Sequence, residues 1–234
     1  MAFIGCVPNT PVKEESKVIP TFHFEPPSKA PVDSGSVAFA LVNPQFPEEW
    51  KTYNYLSNYP FDKFSSNMAR DFEAILSARG YRLRGPFRTY DELTFPDKEG
   101  SDLIMYPKIE IDVRPVGQPI AGKAFLTDQP WYGWKGQINV GGRISLNLNE
   151  SLTNERMWTK TIELEPQSFP YELRGQDQPV STPPLTDAKL NNKLANLLQS
   201  YYTLTMDKVW MYLDPKEMAL VKQQAQTLKV KKRY

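Results

Sequence analysis

The sequence predicts an α+β fold: a mixed, mainly antiparallel sheet with an amphipathic helix after its first strand and two C-terminal helices packed on it. Three observations carry that expectation. Residues 137–148 alternate Ile138, Val140, Ile144, Leu146 and Leu148 with Gln137, Asn139, Arg143, Ser145 and Asn147, the period of a half-buried strand. Phe64, Met68, Phe72, Ile75 and Leu76 recur at helical spacing. Asp214, Pro215 and Glu217 stand at the N-cap, first and third positions of a further helix.

Taken in order, residues 1–35 hold Pro8, Pro11, Pro20, Pro26, Pro27 and Pro31 among Lys, Glu and Ser, without a sustained apolar period. They read as an extended arm, ordered only where something holds it, and the single α/β domain is expected over 36–234. Residues 36–42 (SVAFALV) have the length of a buried strand. Trp50, Tyr53, Tyr55 and Tyr59 pin a Pro- and Asn-rich loop that leads into the first helix, capped by Asp62 or Ser65 and stopped by Gly80. Residues 81–84 form a second strand ending at Gly85-Pro86, so strand, helix and strand make a crossover unit.

Residues 103–114 place Ile109, Ile111 and Val113 on one face and Glu110, Asp112 and Arg114 on the other, a face that meets water or a partner. Gly117, Pro119, Gly122 and Pro130 mark 115–130 as a loop. Trp158, Ile162 and Leu164 follow a turn at 149–154, giving an antiparallel hairpin with 137–148. A second proline-rich loop is expected over 166–184. Leu190, Leu194, Leu197, Leu198, Tyr201 and Leu204 then mark a long helix reaching Tyr212, and Met218, Val221, Ala225 and Leu228 are the stripe of the last one. Lys229, Lys231, Lys232 and Arg233 complement its dipole.

Composition narrows function. Among 234 residues, 28 Lys and Arg balance 27 Asp and Glu, so bulk binding to nucleic acid is not expected. No apolar run reaches the length of a membrane-spanning helix. One cysteine and one histidine cannot build an internal disulfide or a multi-histidine metal site, and no cofactor is expected. Nucleophilic catalysis would have to use His23, in a segment with no scaffold to position it. Gly141-Gly142 lies inside a strand pattern, which marks a bulge or a close backbone approach and not a phosphate loop.

Trp131-Tyr132-Gly133-Trp134 is the most distinctive short feature, in what reads as a loop. Such rings anchor cores, fill protein interfaces or stack on sugars. As an interface the candidates are Trp50, Tyr53, Tyr55, Trp131, Tyr132 and Trp134; as a glycan site they are Trp131, Trp134 and Lys123. Phe3-Ile4-Gly5-Cys6 resembles the end of a bacterial lipoprotein signal, with Phe3 where leucine is usual. Cys6 followed by a proline-rich spacer is therefore read as a lipidation site.

The order of 36–45 (SVAFALVNPQ), 67–83 (NMARDFEAILSARGYRL), 99–115 (EGSDLIMYPKIEIDVRP) and the basic-ended 214–233 resembles the neuraminyllactose-binding haemagglutinin, or HpaA-like, family of bacterial lipoproteins. That resemblance implies a non-enzymatic, lipid-anchored outer-membrane protein with an α/β domain. The family's namesake carries a Lys/Arg-rich run proposed to meet the carboxylate of sialic acid. Here the corresponding 116–125 holds Lys123 alone, a weak carboxylate site. The expectation is thus a structural component of an envelope-spanning assembly, such as a secretion-system core or flagellar sheath, with protein partners. A surface adhesin for sialylated glycans is the alternative.

Overall fold

The structure, a computed structural model, describes residues 20–31, 37–50, 54–124, 128–185 and 187–232. Its centre is a five-stranded sheet in the order β2-β1-β3-β4-β5. The strands are β1 (Ala38–Val42), β2 (Arg82–Phe87), β3 (Leu103–Lys123), β4 (Pro130–Glu150) and β5 (Arg156–Gln176). β1 pairs parallel with β2 and β3, whereas β3, β4 and β5 form an antiparallel meander. Helix α1 (Phe61–Ala78) makes the crossover from β1 to β2, and the short α2 (Phe95–Glu99) precedes β3. Two helices, α3 (Ala188–Tyr212) and α4 (Pro215–Lys232), close the chain. The α+β class, the mixed sheet and the two terminal helices are as the sequence predicts.

Burial explains the elements. β1 is buried along its whole length, which is why five consecutive apolar residues serve as a central strand. α1 turns Phe64, Met68, Phe72, Ile75 and Leu76 onto the sheet, all 0% exposed. It ends where Gly80 adopts φ 78°, a left-handed conformation suited to glycine. Its start differs from expectation: Pro60 is the N-cap, without a side-chain cap, and Asp62 and Ser65 lie inside the first turns. Asp214 does cap α4, its Oδ1 accepting from the Lys216 and Glu217 amides at 2.9 and 3.4 Å.

The larger part of the two proline-rich stretches that read as loops is strand. β3 continues through Pro115 and Pro119 to Lys123, and β5 through Pro166 and Pro170 to Gln176. The reason is their place in the sheet. Ile109 donates its N–H to the Gln45 carbonyl at 2.8 Å, so odd-numbered residues of β3 turn their backbone groups away from β4. Pro115 and Pro119 share that parity, so the N–H each lacks is one the β3–β4 ladder does not use. The register with β4 accordingly runs unbroken from Leu103↔Glu150 to Lys123↔Pro130. Beyond Val113 this gives a three-stranded arm about 30 Å long at ~3.3 Å per residue.

Residues expected to belong to the extended N-terminal arm also enter the core. Phe22 is 1% exposed, wedged between Phe64 and Tyr202 with ring centroids 5.7 and 5.6 Å away. The carboxylate of Asp71, 1% exposed, accepts from the Phe24 amide at 2.6 Å and from the Tyr202 hydroxyl at 2.7 Å. Burial and that bond push the Tyr202 hydroxyl far above its ordinary range, so it stays a donor. The strap therefore staples α1 to α3. α4 is docked partly by charge: Lys222 meets Asp102 at 3.0 Å, and Lys229 meets the fully buried Glu150 at 3.2 Å. Lys229 thus does more than complement a helix dipole.

Candidate functional site

Strand alternation leaves one face of β3, β4 and β5 to the helices and the other open. Lys108, Glu110, Asp112 and Arg114 of β3 stand on the open face, beside Asn139, Arg143, Ser145 and Asn147 of β4 and Thr159, Thr161, Glu163 and Glu165 of β5. Arg143 Nε lies 2.7 Å from Glu110 Oε2 and Lys108 Nζ 3.3 Å from Glu110 Oε1; Arg114 pairs with Asp112. The Arg143 hydrogen bond leads the Lys108 contacts in holding the Glu110 carboxyl below its ordinary value, against the opposing effect of burial. Thr159 donates to Asn147 at 2.9 Å and Ser168 to Asn139 at 2.7 Å.

A groove of ≈ 660 Å³ crosses this face between Trp50, Asp112, Arg114, Gly141 and Pro166. It exists because Gly141, opposite Asp112, offers no side chain. The register between β4 and β5 shifts at the same place, where Gly142 takes φ 150° and a Cβ would overlap the Glu110 carbonyl. The bulge expected from Gly141-Gly142 is therefore present. Four carboxylates, Glu110, Asp112, Glu163 and Glu165, face two guanidiniums, Arg114 and Arg143, in the lining. The arrangement can bind polar or cationic groups and repels anions. Among the described residues no three His, Cys, Asp or Glu side chains are grouped to share a metal ion.

The structure separates the residues that the sequence groups. The segment 131–134 is strand, not loop, and residues three apart on a strand point to opposite faces. Trp131 lies half-buried on the open face near the arm's tip, opposite Gly122, whose missing Cβ leaves room for the indole. The Arg174 guanidinium sits 5.5 Å from its ring centroid. Trp134 is 1% exposed on the helix side, its indole filling the space over the Gly117↔Gly136 pair, 6.3 Å from the Tyr171 ring. Trp131 and Trp134 therefore do not form one platform, and Trp134 is a core anchor.

Tyr132 is half-buried, and Lys123 is exposed with Nζ 3.3 Å from Asp128. Trp50 packs against the core and borders the groove, while Tyr55 stacks edgewise on Phe61 at 5.2 Å. Tyr53 and Cys6 lie outside the described residues. His23 is held where sequence reasoning saw no scaffold, with Nδ1 3.5 Å from Asp71. The buried Asp71 and Glu150 were not singled out from sequence, since nothing in their spacing distinguishes them from solvated carboxylates.

No family model and no curated protein matches the chain. Among solved structures it is similar to one from Helicobacter pylori described as a neuraminyllactose-binding haemagglutinin homologue, with TM-score 0.58 and 16% identity over 86% of this chain and 98% of that one. The likeness is one of fold, and it is the fold that the family resemblance implies. A protein from Xanthomonas campestris (TM-score 0.35, 9% identity, 86% and 94% coverage) and a minor lipoprotein from Acinetobacter baumannii (0.29, 8%, 77% and 93%) match too loosely to add to it. No helix among the described residues is long and apolar enough to cross a membrane.

Proposed function

We propose that the protein is a non-catalytic envelope lipoprotein, anchored to the outer membrane through Cys6, that serves as a structural component of a larger protein assembly. The observation that carries this reading is the β-arm. α3 reaches the start of the arm, where Lys193 Nζ donates to the Pro170 carbonyl at 2.9 Å, and beyond it the strands run on with little burial. Among residues 114–123, 130–137 and 169–176 only Gly133, Trp134 and Tyr171 are buried. The arm presents Trp131 and Tyr132, half-buried rings of the kind enriched at protein interfaces, close to its tip.

The lipoprotein part rests on the sequence around Cys6 and on the fold likeness. Native mass and co-purifying partners after mild detergent extraction test the whole reading. A large particle with defined partners, lost on replacing Trp131 and Tyr132 by alanine, is the expected result. A lone monomer would sink it. Adhesion to sialylated glycans, suggested by the description of the Helicobacter pylori structure, would rest here on Trp131 and on Lys123, already paired with Asp128. Binding of sialyllactose, lost in Trp131→Ala, would bring that second reading forward.

A further inference from the structure

β5 is an outer strand, so one of its edges pairs with no other strand among the described residues. The open edges differ along their length. β2, the other outer strand, carries Pro86; the uncovered stretch of β3 carries Pro115 and Pro119; and the arm half of β5 carries Pro166 and Pro170. Proline on an edge removes a donor that an incoming strand would need. The base half of β5, from Arg156 to Glu165, has no proline.

Its free backbone groups follow from the register. Odd residues of β3 face away from β4, so the alternation of an antiparallel ladder turns odd residues of β4 toward β3 and even ones toward β5. The partners Gly142↔Leu164, Ile144↔Ile162, Leu146↔Lys160 and Leu148↔Trp158 then turn even residues of β5 inward. Met157, Thr159, Thr161 and Glu163 direct their N–H and C=O groups outward. Among the described residues no backbone hydrogen bond from outside the ladder reaches them. Thr159, Thr161, Glu163 and Glu165 are exposed, and Glu163 and Glu165 form no ion pair among the described residues.

We propose that the edge from Arg156 to Glu165 is a strand-addition site for an extended segment of a partner protein carrying Lys or Arg at alternate positions, facing Glu163 and Glu165. Main-chain hydrogen bonds to the outward groups supply the attachment, and the alternate cations supply the choice of partner. A second copy of this edge fits poorly. On the open face it offers Thr159, Thr161, Glu163 and Glu165, with a single cation, Arg156, at its very end, where the register with β4 shifts. The proposal rests on the protein-docking reading above and names the kind of partner.

The test uses the full chain and a fluorescein-labelled peptide of sequence Val-Lys-Val-Lys-Val-Thr-Val, followed by anisotropy. Its controls are the same peptide with Glu for Lys, and with alternate backbone nitrogens methylated on the pairing edge. Saturable binding is expected, about tenfold weaker for either control. Glu163→Gln with Glu165→Gln should weaken it about fivefold. Thr161→Pro, which removes an outward N–H and no ladder bond, should abolish it, and Phe95→Ala, exposed in α2 beside β2 at the opposite end of the sheet, should leave it unchanged. Equal binding of the methylated peptide overturns the proposal without reliance on any variant folding. Self-association broken by Thr161→Pro, with no peptide bound, overturns it in favour of a second copy. A native monomer that still binds the peptide would sink the assembly reading alone.

Discussion

The same three strands behave differently at their two ends. In the base, β3, β4 and β5 lay Ile109, Ile111, Ile144, Leu146 and Ile162 under α1 and α3, each 0% exposed. In the arm, the helix-side positions include Gly117, Pro119 and Gly136, and the buried rings of Trp134 and Tyr171 fill the space that several aliphatic side chains fill below. The base is stabilised by layer-on-layer burial, the arm by its ladder and a few rings. The Gly142 bulge marks the border between them. Rigidity is concentrated where the sheet is covered; the arm exposes both its faces, whereas the base leaves open one face and the edge of β5.

Substitutions can break or sharpen that contrast. The largest effect is expected in the base: Phe64→Ala removes a ring packed on both Phe22 and Tyr202. It should cost about 3–5 kcal/mol in urea unfolding. Asp71→Ala leaves the Phe24 amide and Tyr202 hydroxyl buried without their acceptor. A loss of about 2–4 kcal/mol is expected, with faster proteolysis of the strap at residues 20–31.

Trp134→Ala asks whether arm and base unfold together. If the arm is a separate cooperative unit, amide exchange should rise across 116–123 and 130–137 while the urea midpoint moves less than for Phe64→Ala. A midpoint shift equal to that of Phe64→Ala would show one unit. Smallest of all, Trp131→Ala on the open face should change stability by no more than about 0.5 kcal/mol.

Acid probes the base at α4. Burial of Glu150 raises its carboxyl pKa, but the Thr153 and Leu152 amides and Lys229 outweigh it, and the net direction is down. A carboxyl held low when folded contributes stability above its unfolded value, near 4.5, that disappears as pH falls through the folded value. Stability should therefore drop with acid below that point. Glu150→Gln should flatten the slope, read from urea midpoints across pH 3 to 6.

Much of the base was legible in the sequence because its signals are local. Phe64 to Leu76 can bury one stripe only as a helix, and Gln137 to Leu148 can bury one face only as a strand. Asp214-Pro215 announces a helix whatever surrounds it. The arm was misread for an equally physical reason. Pro115, Pro119, Pro166 and Pro170 are turn signals by themselves, and become strand residues only when a neighbour on one side leaves their missing donors unneeded. Trp131 and Trp134 look like a pair in a loop, but three residues of strand put them on opposite faces.

The sequence by itself determined the class of fold, the order of its main elements, the stop of the first helix at Gly80, the start of the last at Asp214 and the glycine bulge, because side-chain period and backbone preference act over a few residues. Tertiary structure alone decided how far the strands run, which tryptophan is a core anchor, and that Phe22 and Asp71 tie the N-terminal strap to the helices. It also decided which sheet edges stay open. Those outcomes depend on pairing register and burial between residues far apart in the chain, which no local pattern encodes.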